Sequence, residues 1–157
     1  MKRALFTLVV PFALAACGTA TAGYSGGATP NSQSGAATIS VRASSLGQIL
    51  VDGSGKSLYL FEADTGAKST CSAACAQAWP PLTTNGAPKA AGTASPSLLG
   101  TTTRSDGTTQ VTYSGHPLYY FTGDAKAGDT NGEGSTAFGA GWDVLSPTGT
   151  KIEKSGS

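Results

Sequence analysis

Between residues 38 and 152 the hydrophobic positions come in short runs that alternate with polar positions or end at turn-forming residues. Residues 39–42 (Ile-Ser-Val-Arg) alternate with a period of two, which is the period of a half-buried strand. Residues 48–51 (Gln-Ile-Leu-Val) lead into Asp-Gly-Ser-Gly, and an apolar run at 57–61 follows. This order predicts a β-hairpin.

The same pattern occurs twice along the chain. Leu-Tyr-Leu-Phe-Glu-Ala-Asp at 58–64 returns as Leu-Tyr-Tyr-Phe-Thr-Gly-Asp at 118–124, and Val51 and Val111 share this offset of sixty residues. Each copy is followed by a Trp with a Leu three residues further on. The duplication predicts a pseudo-symmetric fold.

The sequence therefore predicts a mostly all-β fold of two tandem β-meander repeats, at about 38–97 and 98–154. Because one hairpin alone is marginally stable in water, we expect the repeats to pack together as a single domain, 38–157.

One short helical turn is expected between the repeats' aromatic motifs. Residues 71–78 are rich in Ala, the best helix former. Ser69 or Thr70 would cap this turn, and Pro80 and Pro81 would end it.

The N-terminus is typical of an export signal. A basic Met-Lys-Arg start precedes an apolar run at 4–13, which is too short to span a bilayer. Leu-Ala-Ala-Cys at 14–17 resembles the lipobox of bacterial lipoproteins. The resemblance predicts a signal peptide at 1–16 and a diacylglycerol on Cys17; the alternative is a secreted protein with an incidental Cys.

Residues 17–37 contain Gly, Ser, Thr and Ala without a hydrophobic period, so we expect a flexible tether. Together with the signal, the tether predicts a membrane-anchored, extracytoplasmic protein of the bacterial cell envelope, whose contact with the membrane is its N-terminal lipid.

Composition narrows the range of functions. Hydrophobic residues are 39% of the chain, charged residues 12%, and the net charge is +1, so a modest core is expected. No cluster of Lys and Arg suggests a nucleic-acid surface.

The duplicated motif Tyr-x-Phe-x-x-Asp consists of Tyr59, Phe61, Asp64, Tyr119, Phe121 and Asp124. With the Cys-x-x-x-Cys spacing, Trp-Pro-Pro-Leu at 79–82 and the Gly-Asp-Thr-Asn-Gly loop at 128–132, it resembles a bacterial family of secreted-repeat lipoproteins. The resemblance covers about 46–152 and implies two tandem repeats and a lipid anchor, without an assigned activity. Asp143 departs from the family pattern, because an aromatic residue is expected there.

Cys71 and Cys75 are the two cysteines left after Cys17, and outside the cytoplasm we expect them to form a disulfide. Their spacing is not Cys-x-x-Cys, which disfavours thioredoxin chemistry. A redox-active or metal-binding pair remains the alternative.

His116 is the sole histidine, and its counterpart in the first repeat is Lys56. A turn position that accepts either residue is expected to be solvated. A Ser-His-Asp triad remains an alternative, but no Gly-x-Ser-x-Gly sequence occurs. We therefore predict no catalytic residue, no resident metal and no cofactor.

Asp64 and Asp124 end the two aromatic strands, where Asp most often accepts hydrogen bonds from the amides of its own turn. The alternative is a ligand or acid–base site formed by both repeats.

Asp129, Asn131 and Glu133 have the spacing of the first half of a calcium loop, but Ala140 occupies the position of the closing Glu. The alternatives are a possible cation loop and a plain Gly-Asp-Asn turn.

Alternation places Tyr59 with Phe61, and Tyr119 with Phe121, on one face of their strands, and Tyr120 on the other. We expect these aromatic residues in the core; an exposed binding platform is the alternative.

These observations predict a non-catalytic binding or interaction module of the envelope, whose partner is an unknown envelope protein or small ligand. A redox or metal-handling accessory lipoprotein is the second hypothesis, and a hydrolase the third.

Overall fold

The computed structural model describes residues 35–153, so the predicted signal peptide, the lipidation site Cys17 and most of the tether lie outside the described residues. Eleven elements follow one another in this part of the chain. The strands are β1 (Thr38–Ser44), β2 (Gly47–Asp52), β3 (Tyr59–Phe61), β4 (Lys89–Ala90), β5 (Leu99–Thr103), β6 (Thr109–Tyr113), β7 (His116–Pro117) and β8 (Trp142–Val144). The helices are α1 (Ala74–Ala78) and two 3-10 turns, Pro96–Leu98 and Ala137–Gly139. The mostly all-β prediction is confirmed.

Each repeat opens with an antiparallel hairpin. In the first, β1 pairs with β2, and β4 adds to β1 in parallel. In the second, β5 pairs with β6, and β6 pairs with β7. The hairpins present their buried side chains to a shared interior.

The two repeats are joined by an exchange of strands. Tyr59 and Tyr119 form a reciprocal pair of backbone hydrogen bonds, with N···O distances of 2.9 and 3.0 Å. On the outer side of β3 lies β8, which belongs to the second repeat. On the outer side of the second aromatic run lies the end of the first repeat, where the Leu82 amide donates to the Leu118 carbonyl. Each repeat therefore supplies a strand that the other repeat needs.

The central sheet consists of β8, β3, residues 118–121 and residues 80–82, in this spatial order. Two hydrophobic clusters lie on its two faces. Residues with even numbers in the aromatic strands, such as Leu58, Leu60 and Tyr120, pack into one cluster with Leu82 and Leu145. The other cluster includes Ile49, Tyr59, Phe61, Cys71, Cys75, Trp79, Tyr119, Trp142 and Val144. The predicted alternation of faces is confirmed.

Leu50, not Val51, is the structural counterpart of Val111. The Leu58 amide donates to the Leu50 carbonyl, and the Leu118 amide donates to the Val111 carbonyl. The offset in these strands is thus sixty-one residues, because the first hairpin turn of the second repeat is one residue longer and the next turn one residue shorter. The two valines share the sixty-residue offset in sequence, but they are not structural counterparts.

The helix near the disulfide is shorter than the sequence suggests. It begins at Ala74 after Ala73, which has φ of 49° and provides no side-chain cap. The expected caps have other partners: the Ser69 hydroxyl accepts a hydrogen bond from Arg104, and Thr70 donates to Asp64. The cap prediction is wrong because the helix begins at Ala74, beyond the reach of a cap at Ser69 or Thr70, and both side chains bond elsewhere.

Candidate functional site

The tyrosines and aspartates of the duplicated motif bind one another reciprocally across the repeats. The Tyr59 hydroxyl donates to Oδ2 of Asp124 at 2.7 Å, and the Tyr119 hydroxyl donates to Oδ2 of Asp64 at 2.6 Å. Each phenol thus reaches the carboxylate of the other repeat. A hydrogen bond from O–H to a charged oxygen is short and strong. These two bonds therefore hold the loops that begin at Asp64 and Asp124 against the paired aromatic strands.

The second oxygen of each carboxylate binds the loop that follows its own strand. Oδ1 of Asp64 accepts from the amide and hydroxyl of Thr70, and Oδ1 of Asp124 accepts from the amide of Asn131. This is the turn role expected of the two aspartates. Because each carboxylate binds a different tyrosine, the structure does not bring them together in one acid–base site.

Burial shapes the ionisation of these groups. Desolvation, and then the hydrogen bond to Asp124, raise the pKa of Tyr59 above its ordinary value; desolvation and Asp64 do the same to the pKa of Tyr119. Desolvation also raises the pKa of Asp124, although its hydrogen bonds act in the opposite direction. The phenols therefore remain protonated donors.

An aromatic stack lies on the pseudo-twofold axis. It consists of Phe61, Trp142, Trp79 and Phe121 in this spatial order, and successive ring centroids are 4.1, 4.0 and 4.4 Å apart. The two indoles are almost parallel, with 6° between their planes. Three of the four side chains are buried, and Phe121 packs against them from a partly exposed position.

The motif tyrosines touch this stack with their edges. Tyr59 meets Trp79 with 5.3 Å between centroids, and Tyr119 meets Trp142 at 5.2 Å. Offset and edge-to-face contacts of this kind stabilise beyond simple area burial. The expectation that the aromatic residues form the core is confirmed for Tyr59, Tyr119 and Tyr120, and for Phe61.

Sequence reasoning missed Arg104, which is 7% exposed. Its guanidinium donates to the Ser69 hydroxyl, the Gln110 amide oxygen and the Cys71 carbonyl, each within 2.7 Å. Nε lies 3.5 Å from Asp106. Arg104 thus links the second hairpin to the disulfide loop of the first repeat. Its counterpart Ser44 carries no charge, so the repeat pattern contained no signal for it.

Cys71 and Cys75 form the expected disulfide, with 5.3 Å between their Cα atoms. Both cysteines are buried in the cluster around the two tryptophans. A buried disulfide is poorly reached by an attacking thiolate, which favours a structural role over thiol exchange.

The three side chains of the possible cation loop diverge. The Asp129 carboxylate accepts from the Lys126 amide, Asn131 donates to the Gly123 carbonyl, and the Glu133 carboxylate accepts from the Val144 amide. Between residues 35 and 153, no group of three or more Asp, Glu, His or Cys side chains is arranged to hold a metal ion. These contacts favour the turn hypothesis.

A cleft of about 240 Å³ opens at the end of β3. It is lined by Leu60, Phe61, Glu62, Asp64, His116 and Lys151. Lys151 donates to Glu62 at 2.6 Å and lies 2.6 Å from Glu153, so its pKa is raised, first by Glu153 and then by Glu62. The histidine expected to be a solvated turn residue is partly exposed here.

Asp143 lies beside this cleft, opposite Leu60 in the β3–β8 pair, and is 7% exposed. Desolvation, and then the charge of Glu62, raise its pKa, while Lys151 acts in the opposite direction. Because the pKa of Asp143 is higher in the folded protein than its ordinary value of 3.8, the ionised carboxylate destabilises the fold at pH values above the raised pKa. This destabilisation is lost as the pH falls towards 3.8. The acidic residue at a position expected to be aromatic therefore adds buried negative charge.

The comparisons with known proteins agree with the duplicated architecture. Residues 40–83 and 100–146 each match the model of the Lipoprotein_15 family, which is described as a secreted repeat of unknown function. No curated protein and no solved structure matches the chain. In the described part of the chain, no helix combines the length and hydropathy needed to cross a membrane. Because the two matches cover more than half of the sequence, the chain belongs to this family of secreted repeats.

Proposed function

We propose that the chain is a lipid-anchored protein of the bacterial envelope that acts as a non-catalytic binding module, and that the acidic cleft receives a positively charged side chain of a partner protein. The observation behind this proposal is the place of the cleft. It lies where the two repeats, which share the same aromatic core, differ in sequence.

Four positions around the cleft break the repeat. Leu60, Glu62, His116 and Asp143 stand where the other repeat has Tyr120, Thr122, Lys56 and Pro80. Leu60, Glu62 and His116 line the opening, and Asp143 lies opposite Leu60. The shared residues Phe61 and Asp64 also line it, but they are engaged in core contacts with Trp142 and Tyr119. The difference favours a role for this end of the molecule that the other end does not have.

Charge and size favour a cationic group. Glu62, Asp143 and Glu153 surround one ammonium, that of Lys151, so negative charge is in excess. The volume of about 240 Å³ is below the range of roughly 300–1,000 Å³ for sites that bury a whole small molecule. Leu60 and Phe61 add an apolar wall, which suits the stem of a Lys or Arg side chain.

The anchoring part of the proposal is supported by the Leu-Ala-Ala-Cys sequence and by the secreted character of the family. We expect the chain to sediment with the membrane fraction and the Cys17→Ser variant to be found in the soluble fraction. Cell fractionation with immunoblotting measures this. Equal membrane association of both chains would contradict the anchor.

The binding part can be tested with a small probe, n-butylammonium, titrated into the Cys17→Ser chain and followed by NMR. We expect shifts of the amides of residues 60–64 and 116, with several-fold weaker binding in Glu62→Gln, since exposed charge pairs contribute up to about 1 kcal/mol. Binding should strengthen as the pH rises through the pKa of Asp143, because the cleft then gains a negative charge.

Two controls accompany this titration. Asp106→Asn removes the same charge from the second hairpin turn, outside the cleft, and should bind butylammonium as the native chain does. Pentanoate has the same four-carbon stem and the opposite charge. Equal shifts with pentanoate, or no shifts with the ammonium, would contradict a cationic partner.

A further inference from the structure

The ring contacts at the centre of the molecule are continuous from one motif tyrosine to the other. Tyr59 touches Trp79, Trp79 stacks on Trp142, and Trp142 touches Tyr119. Tyr and Trp are readily oxidised by one electron, and rings in van der Waals contact exchange electrons easily. An electron removed at any of these four rings can therefore be supplied by any other.

The hydrogen bonds of the oxidisable side chains determine which residue carries the radical. An oxidised phenol is a strong acid and must lose its proton, so it needs a base in contact. Tyr59 and Tyr119 have carboxylates at 2.7 and 2.6 Å. The indole N–H of Trp142 donates to the carbonyl of Ala137, which is not a base of comparable strength. Oxidation is therefore expected to end on the two phenols.

The structure contains an internal comparison for this role. Tyr113 is as deeply buried as the two motif tyrosines, with 0% exposure. Its hydroxyl, however, donates to the neutral carbonyl of Pro147, and it has no ring contact with the stack. Burial alone thus does not distinguish the motif tyrosines; contact with both a carboxylate and the stack does.

The stack approaches the surface at Phe121. This ring is partly exposed, and the loop that covers it has glycines at the closest points. A Cβ at Gly132 would lie 2.6 Å from the Trp79 ring, and one at Gly123 would overlap Phe121. Since the backbone of these glycines lies directly against the rings, an oxidant at this surface comes within about one loop thickness of the indoles.

We propose that the aromatic stack and the two carboxylate-bound tyrosines act together as a one-electron donor toward surface oxidants of the peroxyl-radical class. The peroxyl radical takes one electron through the stack, and with a proton from water it becomes a hydroperoxide. The O–H bond of Tyr59 or Tyr119 breaks, its proton moves to Asp124 or Asp64, and a neutral phenoxyl radical remains. This role uses neither the cleft nor its partner.

The first experiment locates the radical. The full chain carrying Tyr24→Phe, which removes the phenol outside the described residues, is oxidised by flash-generated tris(bipyridine)ruthenium(III) and frozen for EPR. We expect a phenoxyl signal that persists in Tyr113→Phe and in Tyr120→Phe, whose hydroxyl donates to Asp52 outside the stack. The signal should also persist in Tyr59→Phe and in Tyr119→Phe, since the remaining motif tyrosine supplies the electron, and should be lost when these two changes are combined. A signal lost in Tyr113→Phe, or an indole radical alone, would overturn the proposal.

The second experiment tests the proton acceptor. Asp124→Asn keeps the shape but loses the base, and in the Tyr119→Phe background we expect phenoxyl formation to slow at least about tenfold, as for other positioned bases. Folding of each variant is checked by circular dichroism. If Asp124→Asn unfolds, the symmetry-related combination, Asp64→Asn in the Tyr59→Phe background, gives the same measurement. An unchanged rate would overturn the role of the carboxylates.

The oxidant class is tested with an azo initiator that releases peroxyl radicals. The same phenoxyl signal is expected from the chain carrying Tyr24→Phe. A signal with ruthenium(III) and none with the azo initiator would overturn the assignment to peroxyl radicals.

Discussion

Replacing Trp142 by Ala is expected to destabilise the domain by about 3–5 kcal/mol, the usual cost of removing a large ring from a core. Trp142 is fully buried, lies between Phe61 and Trp79, and receives the edge of Tyr119. The flanking rings are held in place by β3 and by the end of α1, so they are poorly placed to fill the space that Trp142 leaves. Since a domain of this size has roughly 5–15 kcal/mol of stability, much of the total would be lost.

Urea unfolding followed by far-UV circular dichroism measures this loss. Phe138→Ala is the matched control, because Phe138 is 50% exposed and its removal should change the free energy of unfolding by no more than about 0.5 kcal/mol. A loss below about 1 kcal/mol in Trp142→Ala would show that the stack contributes little to the fold.

Removing both motif hydroxyls, in Tyr59→Phe with Tyr119→Phe, is expected to cost about 3–6 kcal/mol. Each hydroxyl donates to a carboxylate, and a hydrogen bond to a charged group contributes roughly 1.5–3 kcal/mol. The two single variants should lose similar amounts because their environments are related by the pseudo-twofold axis. Tyr113→Phe removes a hydroxyl bonded to a neutral carbonyl and should cost only about 0.5–1.5 kcal/mol.

A double-mutant cycle isolates the reciprocal bond. Tyr59→Phe, Asp124→Asn and the combined variant should show a coupling of about 1 kcal/mol or more, because the two groups are in contact. Additive losses in this cycle would mean that Tyr59 and Asp124 stabilise the protein independently, against the geometry described above.

The sequence predicted the elements that depend on local pattern. Alternation along 58–61 and 118–121 placed each aromatic residue on its observed face, because a strand fixes the direction of successive side chains regardless of what it packs against. The cysteine count, with Cys17 assigned to the lipid, predicted the observed disulfide because only two cysteines were left to pair.

Long-range partners could not be predicted in the same way. The sequence indicated two aspartates at strand ends, but nothing local indicates that Asp124 accepts a hydrogen bond from Tyr59, sixty-five positions away. The buried Arg104 was missed for the same reason, since its partners belong to a loop of the other repeat. The shift from Val51 to Leu50 arose because two turn-length changes compensate one another, which leaves the offset of the aromatic motif unchanged.

The exchange of strands between the repeats also bears on how such a chain could arise. The two halves meet through the same surface on each side, Tyr59 against Tyr119 and each terminal strand against the other aromatic strand. This is the geometry of an isologous dimer, in which residue i contacts j and j contacts i. The protein is therefore equivalent to a homodimer whose two subunits are joined in one polypeptide. Covalent linkage keeps both copies at equal amounts and frees each to diverge, and Glu62 and Asp143, which stand where the other repeat has Thr122 and Pro80, are such a divergence.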